Sequence, residues 1–122
     1  MENEIHSYKD LIVWQKAMSL VEEIYFLTNK FPRDEIYGII SQMKRCAVSI
    51  PSNIAEGRRR GSKKDFYRFL QISYGSGAEL ETQLEISKRL KFCPLEEFKK
   101  SELLLEEVMK ILNKIINNSI NN

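Results

Sequence analysis

Histidine occurs once, as His6, in a segment expected to be flexible. That leaves no ordered imidazole for a Ser-His-Asp or Cys-His arrangement or for a multi-histidine metal site. A carboxylate di-metal site in a helix bundle also needs Glu-x-x-His pairs on facing helices, and the sequence has none, so Glu79, Glu81 and Glu85 read as a solvated or interhelical polar face. Cysteine occurs twice, as Cys46 and Cys93, far apart and without metal-ligand spacing, which points to free thiols rather than a disulfide. Five glycines and three prolines are too few for a loop-rich or disordered chain. No run approaches the roughly 18 apolar residues of a membrane span, and Met1-Glu2-Asn3-Glu4 lacks the basic-then-apolar order of a signal peptide. A cytoplasmic protein without cofactor, metal or membrane partner is expected, and not an enzyme.

What is present suits helices. Apolar residues make up 43% of the 122 and charged residues 30%, enough for one hydrophobic core and one domain spanning 1–122, with 1–8 and 118–122 expected to be flexible. Trp14, Ala17, Met18, Val21, Ile24, Tyr25 and Thr28 recur at steps of three and four, predicting a helix over about 10–29 that Phe31-Pro32 ends. Ile36, Ile40, Met43, Ala47, Ile50 and Ile54 predict a second helix over 34–56, closed near Gly57 and kinked but continuous at Pro51. Ser62 and Asp65 are spaced as a capping box that opens a third helix over 62–91, with Phe66, Leu70, Ser73, Gly77, Leu80, Leu84 and Ser87 along its seam. Gly75 and Gly77 each cost such a helix about 1 kcal/mol relative to alanine, and close packing of a partner backbone is the expected compensation.

After Cys93-Pro94 a fourth helix is predicted over 95–117, with Phe98, Leu105, Val108, Met109, Leu112, Ile115 and Ile116 inward. Leu103, Leu104 and Ile111 widen its apolar face toward a second subunit. Four amphipathic helices joined by short turns bury their stripes together as an all-α, antiparallel up-down-up-down four-helix bundle.

Charge is uneven. Residues 58–68 hold Arg58, Arg59, Arg60, Lys63, Lys64 and Arg68 against Asp65 alone, a local charge of +5 that leaves 13 basic and 16 acidic residues, or −3, elsewhere. Gly57-Arg58-Arg59-Arg60-Gly61 lacks the Gly-Lys-Ser/Thr end of a P-loop, and no strand precedes it. The stretch reads either as a surface for phosphate groups, with Tyr67 as a stacking face, or as a solvated basic turn. Lys44-Arg45 would enlarge it if the fold brings them there.

Tyr8-Lys9-Asp10-Leu11-Ile12-Val13-Trp14-Gln15-Lys16-Ala17, Phe31-Pro32, Glu35-Ile36-Tyr37-Gly38-Ile39, Ser49-Ile50-Pro51-Ser52-Asn53-Ile54-Ala55-Glu56-Gly57, Phe69-Leu70-Gln71-Ile72-Ser73-Tyr74-Gly75-Ser76 and Glu79-Leu80-Glu81-Thr82-Gln83-Leu84 stand in an order and spacing that resemble the bacterial four-helix bundle family named for 23S rRNA intervening sequences. The resemblance covers about 8–92. It implies a bundle that assembles as a ring, a homopentamer, without enzymatic activity. Accessory proteins of diversity-generating retroelements look similar, and from them the resemblance implies contact with nucleic acid and with a reverse transcriptase or other protein partner.

Carried over by position, Asn53, Glu56 and Gly57 match the motif and are assigned structural duties: Asn53 satisfying backbone freed by Pro51, and Gly57 ending its helix. Cys46 and Ser73 stand where the pattern has alanine, and Lys91 where glycine is common. Two functions follow as expectations. One is an oligomeric accessory protein that binds RNA or DNA phosphates through Arg58, Arg59, Arg60, Lys63, Lys64 and Arg68. The other is a homo-oligomeric protein-interaction scaffold. An enzyme would require a deep pocket around Glu56, Glu79 or Glu81.

Overall fold

A computed structural model describes residues 7–121, with side chains as far as Asn118, so His6 and the outermost ends of both predicted flexible segments lie outside the described residues. Helices α1 (Ile12–Thr28), α2 (Ser41–Arg59), α3 (Lys63–Arg89) and α4 (Lys99–Asn121) form the four-helix bundle, and no strand occurs among the described residues. α1 packs on α2 and α4, and α3 packs on the same two, which is the neighbour pattern of an up-down-up-down bundle.

The chain is ordered earlier than expected. Ser7 Oγ accepts from the Lys9 amide at 3.1 Å and caps a 3-10 turn over Tyr8–Asp10 that leads into α1. The buried stripe of α1 is Val13, Ala17, Leu20, Ile24 and Leu27, with Thr28 closing it by donating to the Ile24 carbonyl at 2.8 Å. This stripe is rotated from the predicted one: Trp14 and Val21 are half-buried, while Met18 and Tyr25 are exposed. Two overlapping stripes satisfy the same three-and-four spacing on so apolar a helix, and packing against α2 and α4 selects one.

Beyond Pro32 the predicted second helix is broken. A 3-10 turn over Arg33–Glu35 and a π turn over Ile36–Ile40 precede α2, and Gly38 departs from helical geometry at φ −110°, ψ −117°. Ile36 is thereby turned out to 38% exposure, while Ile40, Met43, Ala47, Ile50 and Ile54 fill the core as expected. α2 runs through Pro51, which is itself buried. Asn53 Nδ2 donates to the Ser49 carbonyl at 2.8 Å, not to the Ala47 carbonyl that Pro51 leaves without its amide. Ser49 Oγ meets Ser76 Oγ at 2.8 Å and Ser73 Oγ donates to the Ile50 carbonyl at 2.9 Å, so small hydroxyls tie α2 to α3.

Gly57 does not end α2. It is buried two residues inside the helix, where a Cβ would come within 2.7 Å of the Phe69 Cβ; the residue that leaves the helix with left-handed geometry is Gly61, at φ +86°. Gly77 is close-packed against the Met109 side chain of α4, but Gly75 faces open space, so the predicted compensation is absent there within the subunit.

The seam of α3 holds, with Leu70, Ser73, Gly77, Leu80, Leu84 and Ser87 buried and Phe66 half-buried. The helix closes with the Phe92 amide on the Ser87 carbonyl and the Lys91 amide on the Lys88 carbonyl, both at 3.1 Å, a Schellman arrangement in which Lys91 takes φ +58°. α4 begins later than predicted, after a 3-10 turn over Leu95–Phe98, and continues to Asn121. Phe31, Phe92 and Phe98 close that end of the core, Phe31 lying 5.3 Å and 5.9 Å from the other two rings.

Candidate nucleic-acid interface

The short α2–α3 turn carries all six predicted cations to one end of the bundle. Ser62 Oγ accepts from the Asp65 amide at 3.1 Å and starts α3, but the return half of the predicted box is replaced by an ion pair of Asp65 with Arg68 at 3.5 Å. Arg60 bonds Glu56 at 2.8 Å, which holds the guanidinium pKa above its ordinary value. Arg60 and Arg68 both lie over the Phe69 ring, at 5.1 Å and 4.6 Å. Arg59 stands 5.8 Å from the Tyr8 ring. Arg58 is exposed. Lys63 and Lys64 are exposed in the first turn of α3, without an ion-pair partner among the described residues, where the helix amides have no intrahelical acceptor.

Glu56, placed by position among structural residues, restrains Arg60. Tyr67, the aromatic face expected here, is half-buried 5.8 Å from Phe66, and a second half-buried ring, Tyr8, stands beside Arg59. Sequence reasoning missed Tyr8 because it sits in the segment expected to be flexible; Ser7, spaced to cap Lys9, was the available signal. Lys44 and Arg45 do not join the patch. Lys44 covers the Tyr25 ring at 4.6 Å and precedes Arg58 by 14 residues of the same helical run, about 21 Å at 1.5 Å per residue.

Elsewhere, an open groove of about 570 Å³ between α3 and α4 has Glu81, Glu85, Glu102, Glu106 and Lys99 around leucines. Two of its carboxylates are committed to Lys88, Glu102 at 2.6 Å and Glu85 at 3.6 Å. Glu79 is exposed and Glu56 lies on Arg60. Among the described residues no group of three or more His, Cys, Asp or Glu side chains is placed to hold a metal ion, and no helix is long and apolar enough to cross a membrane.

Residues 9–114 match the 23S rRNA-intervening sequence protein family. The chain belongs to that family. Among solved structures it is similar to a protein of unknown function from the S23 ribosomal protein family of Bacteroides thetaiotaomicron VPI-5482. The two share 25% identity and a TM-score of 0.79, over 87% of this chain and 96% of the other. No curated protein matches it. The basic turn and its Tyr8 and Phe69 platforms all lie inside or next to the portion that defines this chain as a 23S rRNA-intervening sequence protein.

Proposed function

We propose that this chain is a non-enzymatic accessory protein of the cytoplasm that assembles with copies of itself and holds RNA or DNA by its phosphates at Arg58, Arg59, Arg60, Lys63, Lys64 and Arg68. The observation that carries the reading is the gathering of six cations at one turn, with Lys63 and Lys64 unpaired at the start of α3. Arginine forks hold phosphate oxygens in pairs, and contacts of this kind carry no base preference. Assembly into a ring such as the pentamer that the family resemblance implies multiplies a weak site through effective concentration. Gly75, Ile72 and Ile86 on the outer face of α3 support self-assembly, because within the subunit Gly75 faces open space and both isoleucines remain exposed. Two free cysteines fit a reducing compartment.

The second reading, a scaffold for a polypeptide such as a reverse transcriptase, is favoured by Leu103 on α4, apolar and 62% exposed. Binding of the purified protein to a labelled structured RNA over a salt series separates the two, with the Arg58→Ala, Arg59→Ala, Arg60→Ala triple variant in parallel and oligomeric state measured in the same buffers. A steep loss of affinity with salt that the folded variant flattens supports phosphate binding. Absence of binding at low salt by either protein refutes it and leaves the scaffold.

A further inference from the structure

Between α1 and α2, directly beside the basic turn, lies a second groove of about 350 Å³, lined by Tyr8, Trp14, Met18, Val21, Val48, Pro51, Ser52 and Ala55. No charged side chain lines it. Val48, Ser52, Ala55 and Arg59 follow one another at steps of three and four residues on α2, so the wall of the groove continues into the Arg59 guanidinium. One helical turn, about 5.4 Å, separates Ala55 from Arg59. Tyr8 is shared: its ring meets Trp14 at 5.4 Å and 65° and also lies 5.8 Å from the Arg59 guanidinium.

We propose that this groove receives an unpaired nucleobase, and that the interface is therefore a single-strand binder. The inference rests on the phosphate-binding reading above. A strand whose phosphate lies on Arg59 and its neighbours has its adjoining base within a helical turn of an apolar slot with an aromatic wall, which is the pairing of cationic track and stacking face that single-stranded nucleic acid uses. A duplex offers the same phosphates but keeps its bases stacked and paired, so it gains only the electrostatic part. The slot has a hydroxyl at Ser52 and no cation or carboxylate of its own, which suits a flat neutral ring better than a charged peptide side chain.

Trp14 is the only tryptophan in the chain, so its emission reports on the groove directly. The full chain is titrated at low salt with oligouridylate and, separately, with the same oligouridylate annealed to oligoadenylate. The expected result is quenching of Trp14 by the single strand but not by the duplex, with the single strand bound about tenfold more tightly. Ser52→Leu, which fills the slot from an exposed position, brings single-strand affinity down to the duplex level and leaves duplex affinity and its salt slope unchanged. Equal affinity for both forms with unchanged Trp14 emission overturns the groove assignment while leaving phosphate binding intact. Failure of both forms to bind overturns both. Trp14 emission that shifts with protein concentration alone, together with dissociation of the assembly by Ser52→Leu, assigns the groove to a second copy of the chain and overturns the proposal.

Discussion

Gly77 of α3 faces the sulfur of Met109 on α4 across a gap too small for a methyl group. The three helical glycines therefore differ in what they do, and substitution sorts them. Gly57→Ala drives a Cβ against the Cβ and backbone of α3, which cannot swing aside, and is expected to cost about 2–3 kcal/mol. Gly77→Ala meets a flexible thioether and costs less, about 1–2 kcal/mol. Gly75→Ala meets nothing and gains about 0.5–1 kcal/mol of subunit stability. Urea denaturation midpoints at a common slope give the order, and loss of assembly in Gly75→Ala would place that face between copies.

Lys91 completes the Schellman turn with a left-handed backbone that glycine adopts without strain. Lys91→Gly is expected to stabilise the protein by about 1 kcal/mol, read from the same denaturation curves. An unchanged or lower midpoint would show that the Lys91 side chain contributes something that offsets its backbone.

Sequence was sufficient where the signal is local. The helix count, the seams of α2 and α3 and the Ser62 start were legible because three-and-four spacing and capping chemistry are local. The role of Gly57 was not, because a glycine near a run of polar residues looks like a helix end, while close approach to Phe69 depends on how α2 and α3 pack. The stripe of α1 was legible only in part for a related reason: Ala17, Ile24 and Thr28 are buried as expected, but Trp14 and Val13 both belong to acceptable stripes. In the basic turn the identity of the cations was plain, but the pairing of Arg60 with Glu56, and the arrival of Tyr8 beneath Arg59, required the fold.

The Glu85 carboxyl is held below the usual glutamate range, chiefly by the hydrogen bond from Arg89 and then by the charge of Lys88. A depressed folded-state value contributes stability above the ordinary glutamate pKa and loses it as pH falls through the depressed value. Glu85→Gln is therefore expected to lose less melting temperature than the parent between neutral and acid pH. Because the group is exposed, added salt shrinks the difference. Identical acid sensitivity in the two proteins would show that the pair contributes nothing.

Burial pushes the thiols of both Cys46 and Cys93 upward in pKa. Cys46 is also enclosed, with Gln83 Nε2 at 3.5 Å from its sulfur, whereas Cys93 is half-buried in a turn. Alkylation of the native protein, followed by peptide mass, is expected to label Cys93 well before Cys46, and both more slowly than in urea. Simultaneous labelling would mean that the core opens around Cys46 as readily as the turn does.

Arg60 and Arg68 each already hold an anion of their own chain, Glu56 and Asp65, above a shared aromatic ring. An incoming ion competes there with a carboxylate that is tethered in place. A small monovalent anion merely trades one such contact for another, while a polymer of linked charges keeps its neighbouring groups docked each time one position exchanges. On the phosphate-binding reading, these two arginines are expected to act as a filter for valence, responding weakly to acetate or chloride and favouring polyanions.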